Sequence, residues 1–325
     1  MGYDPSIDMQ IAIATPVTSI ATTGNRGTAS QWAGFLRTMG HVVTTGGPKD
    51  LEVSGADLLI ALHGWKTRAA IERFRETNPG GKLIVVLTGT DIYPGPNETV
   101  LRSMADADRL VVCQEKAGEK LPAEHSGKVH VIPQSARPSA HPPAPDPDSF
   151  EICVIGHLRD VKDPMRAAKA ARLLPEPSKI RVLHAGGILE EKFAEQVKRE
   201  EEENSRYRYL GELEPEAVTD LAARCRAMVI SSISEGGARV AGEAIVNRTP
   251  VISSKIDGVI GLIGSEDYPG FFPVGDTRAL ADLMHRFETD ASFRRELQGW
   301  AEKLAPKFDP KTEMQLLQNL IEGLE

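Results

Sequence analysis

Three cysteines in 325 residues, Cys113, Cys153 and Cys225, lie far apart in apolar strand or helix contexts, which excludes a disulfide framework and any zinc-binding spacing. They read as buried thiols. No run of about 18 apolar residues occurs, so no segment is expected to span a bilayer. The opening MGYDPSIDMQ has neither the basic region nor the apolar stretch of a signal peptide, and a cytoplasmic location is the expectation. Basic charge is not in excess: 38 Lys and Arg against 46 Asp and Glu leave a net charge of -8. That balance argues against a nucleic-acid or membrane partner and for a small ligand. The P-loop, the H-E-x-x-H zinc helix, the G-x-S-x-G elbow and the protein-kinase signature are all missing. Asp106-Ala107-Asp108 and Asp146-Pro147-Asp148 match a D-x-D metal pattern, but the first starts before an apolar strand and the second lies in a proline-rich stretch. Both read as structural, and no metal cofactor is expected. The acidic run over residues 190–203 reads as the solvated face of a helix.

What is present is an alternation. QIAIATPV, the amphipathic TASQWAGFLRTMG, HVVTT, DLLIALH, a helix over residues 66–78 and LIVVLTGTD follow one another, then a helix capped near Asn97, RLVVC, a short helix and VHVIP. Short continuous apolar runs between helical patterns predict an α/β fold with a parallel sheet covered on both faces. Proline crowds the stretch from Pro133 onward, which predicts an extended linker over residues 136–149. A second series then begins with FEICVIG and runs through IRVLHAGG, YRYLGEL, MVISS and PVISSK with helices between them. The predicted organisation is a Rossmann-like domain over 9–135, the linker, a second Rossmann-like domain over 150–308, and a helix over 309–325 packing across the junction. Two such halves are expected to face a central cleft at the carboxyl ends of their strands.

Four loops carry candidate chemistry. In SSISEGGARVAGEAIVNRTPV, residues 231–251, a strand reaches a Glu-Gly-Gly turn that leads into a helix. The amides of Gly236, Gly237 and Ala238 would then face an anion. Glu235 before the helix and Glu243 about two turns inside it place two carboxylates roughly 12 Å apart or less, a span that suits a nucleotide-sugar. The plainer reading is two surface glutamates favoured by a helix start. In VIGHLRDVKDP, a strand ends at Gly156 and delivers His157, Arg159 and Lys162, three potential cations for a diphosphate. The first strand-to-helix turn, Thr23 to Gly27, lacks the G-x-G-x-x-G fingerprint, which argues against a nicotinamide cofactor. It still offers Gly24, Asn25 and Arg26 to an anionic acceptor. In LTGTDIY, Thr90 and Asp91 follow a buried strand, with Asp91 either a substrate ligand or an N-cap. His63 and Trp65 after DLLIAL could contact a ligand or simply pack, and Lys66 and Arg68 are weaker acceptor candidates. No His–carboxylate dyad is evident.

Together these motifs resemble the retaining family-4 type of GT-B glycosyltransferase over nearly the whole chain. Glu235 and Glu243 match its E-x7-E motif, Lys162 matches the lysine of its G-R-L-x-x-x-K segment, and FFPVGDTRALADLMHRFETDASFRREL resembles its usual continuation. His157 stands where that segment has arginine, which leaves Arg159 or Arg26 to supply the charge. A narrower set of strings, among them GNRGTASQWAGFLRTMGH, LIALHGWKTRAAIERFR, VIGHLRDVKDPMRAAKAARLLP and EDYPGFFPVGD, resembles the selenosugar synthases of selenoneine biosynthesis. That resemblance implies coupling of selenophosphate to the sugar of a UDP-sugar, UDP-N-acetylglucosamine foremost, with release of UDP. It implies Lys162, Arg159 and the amides of residues 236–238 on the diphosphate, Glu235 on the sugar, Glu243 on the ribose and Arg26 on selenophosphate. Selenophosphate is already a strong nucleophile, so no general base is required. The alternatives are a GT-B transferase with a thiol, hydroxy-acid or carbohydrate acceptor, a UDP-sugar epimerase, and a non-catalytic nucleotide-sugar-binding protein. Oligomeric state is not legible.

Overall fold

The computed structural model describes residues 9–16, 24–93 and 95–324. The chain divides into two compact units, Met1–Gln134 with Glu313–Glu325 in the first and Ser135–Thr312 in the second.

The first unit contains β1 (Gln10–Ala14), α1 (Gly24–Thr38), β2 (Val42–Gly46), β3 (Leu58–Leu62), α2 (Arg68–Thr77), β4 (Lys82–Leu87), α3 (Glu98–Asp106), β5 (Arg109–Val112), α4 (Glu115–Gly118) and β6 (Val129–Val131). All strands are parallel in the order β2-β1-β3-β4-β5-β6, with Ile11 opposite Val43 on one side and Leu58 on the other. Because helices cover both faces, β3 is buried at every position, so its sequence is continuously apolar rather than alternating. The expected cap at Asn97 is there: its side chain accepts from the Val100 amide at 2.9 Å. Helix α1 buries Ala29, Trp32, Ala33 and Leu36, one face at helical spacing.

The second unit contains β7 (Phe150–Ile155), α5 (Arg166–Ala171), β8 (Ile180–Ala185), α6 (Lys192–Glu203), β9 (Tyr207–Gly211), α7 (Pro215–Arg224), β10 (Ala227–Ile230), α8 (Arg239–Val246), β11 (Val251–Ser254), α9 (Asp257–Ile263), β12 (Phe271–Phe272), α10 (Thr277–Thr289) and α11 (Ala291–Leu304). Its parallel sheet runs β12-β11-β10-β7-β8-β9, the doubly wound order of dinucleotide-binding folds, and Met228 pairs with Cys153 on one side and Val251 on the other. The irregular stretch before β7 is pinned to this unit. Ala136 donates its amide to Phe308 O at 3.1 Å, and Ser139 bonds Asn247 at 2.8 Å and Asp220 at 2.6 Å.

The last helix, α12 (Pro310–Glu322), buries Leu317, Leu320 and Ile321 in the same cluster as Trp32 and Leu36 of the first unit. A polar contact fixes that docking: the buried Glu313 carboxylate accepts Trp32 Nε1–H and Gln31 Nε2–H, both at 2.7 Å. No helix among the described residues is long and apolar enough to cross a membrane.

Each sheet has one place where successive strands begin to be laid down in the opposite direction. In the first unit it lies between β1 and β3, and in the second between β7 and β10. The connections leaving two such strands splay to opposite faces and open a crevice at their carboxyl ends, where open α/β sheets bind ligands.

Candidate functional site

The crevice of the second unit joins two of the loops singled out in the sequence. β7 ends in Gly156, His157 and the turn to Lys162, while β10 ends in Ser231, Ser232 and Glu235; a cavity there is lined by Gly156, Lys162, Ser231, Ser232, Glu235 and His184. Lys162 Nζ lies 2.5 Å from Glu235 Oε1, and the same oxygen accepts Ser232 Oγ–H at 2.5 Å. Both side chains are mostly buried, so the ammonium is neutralised locally and held in one place rather than free in solvent.

Serines weld the two loops together. Ser231 Oγ donates to the carbonyls of Lys162 at 3.2 Å and Asp163 at 2.9 Å, the Ile233 amide donates to Val161 O at 2.8 Å, and Ser254 Oγ donates to Ser232 O at 2.5 Å. The backbone around this weld is unusual at two non-glycine positions, Asp163 at φ 43° and Ala238 at φ 33°. Such conformations cost free energy and gather where a site dictates the backbone path. The turn differs from its sequence reading here: Gly236 and Gly237 precede the helix, Ala238 is the left-handed N-cap, and α8 starts only at Arg239. Glu243 is therefore just over one turn inside the helix rather than two, and its Oε1 lies 3.3 Å from Arg239 Nε.

His157 is not the cation that its position in VIGHLRDVKDP suggests. Its Nδ1 accepts the Gly187 amide at 3.0 Å, which requires an unprotonated nitrogen, and burial lowers its pKa, helped by nearby Arg159 and Lys162 against the pull of Glu212. The neutral ring then carries its proton on Nε2. Arg159 has a buried Nε without a hydrogen-bond partner. Sequence reading missed His184, in the strand string IRVLHAGG. Its Nε2 donates to Gly156 O at 3.3 Å and its Nδ1 takes the Tyr207 hydroxyl at 3.0 Å, so β8 and β9 set the height of the Gly156 loop. Burial takes its pKa down to about 4. Gly186 must be glycine here, since a Cβ would lie 2.1 Å from Gly156 O and φ is 153°.

In the first unit, Gly24, Asn25 and Arg26 are the first turn of α1 rather than a loop, and Arg26 is exposed; Thr23 lies outside the described residues. Helix starts leave amides without intrahelical acceptors, so the anion-binding argument carries over to the helical form. Asp91 is neither an N-cap nor an open ligand. Its carboxylate accepts the amides of Gly64 (2.9 Å), Thr88 (2.9 Å) and Gly89 (2.7 Å) and is almost fully buried, so it clamps the loops after β3 and β4. Arg68 is tied to Glu72 at 2.9 Å and Asp106 at 2.6 Å, which accounts for the first D-x-D aspartate. Lys66 is exposed, its Nζ 5.3 Å from the Trp65 ring centre.

The structure does contain a His–carboxylate contact. His63 Nδ1 lies 3.6 Å from Asp91 Oδ2, and His63 Nε2 is 2.8 Å from the hydroxyl of exposed Thr90. The three residues come from the ends of β3 and β4, which are neighbours only in the folded sheet.

A family model described as glycosyl transferases group 1 matches residues 139–303, just over half of the chain. The chain belongs to that family. Among solved structures, the sucrose-phosphate synthase of Thermosynechococcus elongatus matches with a TM-score of 0.78 at 16% identity, covering 97% of this chain and 99% of its own. HepE of Anabaena, solved with UDP and glucose, matches with a TM-score of 0.76 at 16% identity over 97% of this chain and 100% of its own. A glycosyltransferase of Rickettsia africae gives 0.75 at 14% identity over 98% and 99%. The likeness is one of fold: two parallel-sheet Rossmann-like α/β domains, the GT-B architecture that the sequence led us to expect.

In this group 1 glycosyl transferase, Lys162 and Glu235 are brought into contact, with Gly156 beside them on the same cavity. Glu243 contacts Arg239, Arg68 is paired with Asp106, and Asp91 accepts the Gly64 amide. The signal that could have found His184 is a lone histidine inside an apolar strand that runs into Gly-Gly, since a buried imidazole needs specific partners.

Proposed function

We propose that this protein couples selenophosphate to the sugar of a UDP-sugar, UDP-N-acetylglucosamine, forming a carbon–selenium bond and releasing UDP. The observation that carries the donor half is Lys162 Nζ held 2.5 Å from Glu235 Oε1 at the crevice between β7 and β10. UDP bound to HepE, a protein of the same fold, supports a UDP-sugar as the donor. In this reading the diphosphate takes Lys162 from Glu235, Arg159 adds the second positive charge, and the backbone at Gly236, Gly237 and Ala238 faces the phosphate oxygens. No metal is assigned to that task. Glu235, released, accepts hydroxyls of the sugar, Glu243 those of the ribose, and the neutral His157 donates from Nε2 beside Gly156.

Selenophosphate is assigned to the first turn of α1, with the exposed Arg26 and the amides of Gly24 and Asn25. Lys66 and Thr90 stand as further contacts on the same unit. The strings that resemble the selenosugar synthases support this acceptor, and they lie in both units. A second reading is favoured by the His63 and Asp91 contact: a hydroxyl acceptor, deprotonated through Thr90. The deciding experiment is purified protein with UDP-N-acetylglucosamine and selenophosphate, hydroxyl acceptors or buffer, analysed by mass spectrometry. A selenium-containing hexosamine supports the first reading. UDP release without a selenium adduct defeats it and leaves the transferase assignment standing.

A further inference from the structure

Transfer of selenophosphate to a sugar leaves a phosphoryl group on selenium, and its removal by water releases a proton that a nearby base can take. This step rests on the selenophosphate reading above. We infer that Thr90, His63 and Asp91 form the proton relay for that water, with Thr90 as the catalytic residue and the other two acting through it.

The geometry fixes the direction of the relay. His63 Nδ1 is buried, makes no hydrogen bond and lies 3.6 Å from the Asp91 carboxylate, whose negative charge favours the tautomer with the ring proton on Nδ1. Nε2 is then the acceptor, and the Thr90 hydroxyl 2.8 Å away donates to it. The oxygen lone pairs of Thr90, on the exposed side of this pair, are left to take a proton from outside. His63 itself is held at φ 86°, a conformation that costs free energy, by its amide on Val86 O (2.8 Å) and by Thr67 Oγ on its carbonyl (2.8 Å). Burial lowers the imidazole pKa, while Asp91 opposes this, which keeps a neutral, orientable base under the loop. The same orienting logic, an acid holding a histidine that accepts from a hydroxyl, serves acyl-transfer triads.

In the step, the water oxygen bonds to phosphorus as the P–Se bond breaks, and selenium leaves with the bonding pair as the sugar selenolate. The water proton passes to Thr90 Oγ as the Thr90 hydroxyl proton passes to His63 Nε2. The imidazolium, stabilised by Asp91, then returns its proton to solvent. Selenolate is a weak base and departs without a proton donor.

The test measures UDP, inorganic phosphate and phosphorylated selenosugar in parallel for the full chain and for Thr90→Val and Thr90→Ser. Thr90 is exposed and valine has the same shape, so the fold is not at risk. Expected for Thr90→Val is phosphate release about 100-fold slower relative to UDP release, accumulation of the phosphorylated adduct, and recovery in Thr90→Ser. A phosphate-to-UDP ratio equal to wild type overturns the relay, as does equal loss of both, which would place Thr90 in the transfer step. Wild-type protein that forms no selenium adduct overturns the selenophosphate reading and the relay with it.

Discussion

Gly258, in the first turn of α9, has no chemistry of its own, yet a single added carbon there should disable the site. A Cβ at this position would lie 2.1 Å from the Glu235 carbonyl oxygen and 2.8 Å from both its carbonyl carbon and its Cβ. Ordinary van der Waals contact begins near 3.4 Å, so in Gly258→Ala either α9 or the loop carrying Glu235 must move by about 1 Å or more. The obstacle is backbone, so no side-chain rotation relieves it. Glu235 Oε1 sits 2.5 Å from both Lys162 Nζ and Ser232 Oγ, and a displacement of that size breaks both contacts. A misplacement of about 1 Å in a catalytic group can cost roughly 100-fold in rate, while overpacking of this kind costs about 1–3 kcal/mol of stability. The expected result is therefore a folded protein with UDP release slowed about 100-fold. Steady-state UDP release, with circular dichroism and thermal melts alongside, reads both quantities. Gly299→Ala is the control, since a Cβ there meets nothing within 4 Å and activity should stay at wild type. Wild-type turnover in a folded Gly258→Ala would refute the claim that Glu235 must be held where it is.

Lys162→Ala should lower turnover by about 100-fold or more, and Glu243→Ala should chiefly raise the Kd for the UDP-sugar; kinetics and calorimetric titration separate the two. Arg26→Ala should raise the KM for selenophosphate more than that for the donor, whereas Arg68→Ala should change neither, because Glu72 and Asp106 already hold that guanidinium. Equal effects of Arg26→Ala on both substrates would move it to the donor side. Stability should fall as pH drops from about 6.5 towards 4: His184 is neutral in the fold down to about pH 4, while the unfolded chain takes up the proton near 6.5. That difference amounts to something on the order of 3 kcal/mol, fully present above pH 6.5 and lost on the acid side. A melting-temperature profile with the same slope in His184→Gln would count against this assignment.

How much of the site was legible follows from where each residue's information lies. Lys162, Glu235 and Arg159 stand in loops that local pattern marks as strand-to-helix turns, and Glu243 stands in the helix that follows one of them; cations or carboxylates there invite an anion or a sugar. Their partners are a different matter. Nothing in VIGHLRDVKDP says that Lys162 touches Glu235, because that contact requires β10 to lie beside β7 in the sheet. The reading of Asp91 stayed open between ligand and cap because its three amide partners sit on two loops. Arg68 looked available because Asp106 is far along the chain. His157 looked cationic because the Gly187 amide that keeps Nδ1 unprotonated comes from the end of another strand. The His63 and Asp91 contact was overlooked for the same reason, which is why no His–carboxylate dyad was evident in the sequence.

The sequence by itself therefore determined the fold class and two doubly wound halves, since apolar runs and helical periodicity are local and both sheets bury their strands on two faces. It also determined which residue types stand at the strand ends. Only the tertiary structure decided strand order, and with it which strand ends adjoin, which charges are already spent on partners, and which imidazoles are neutral. Those properties depend on distance and desolvation between residues remote in the chain, and the folded sheet alone sets both.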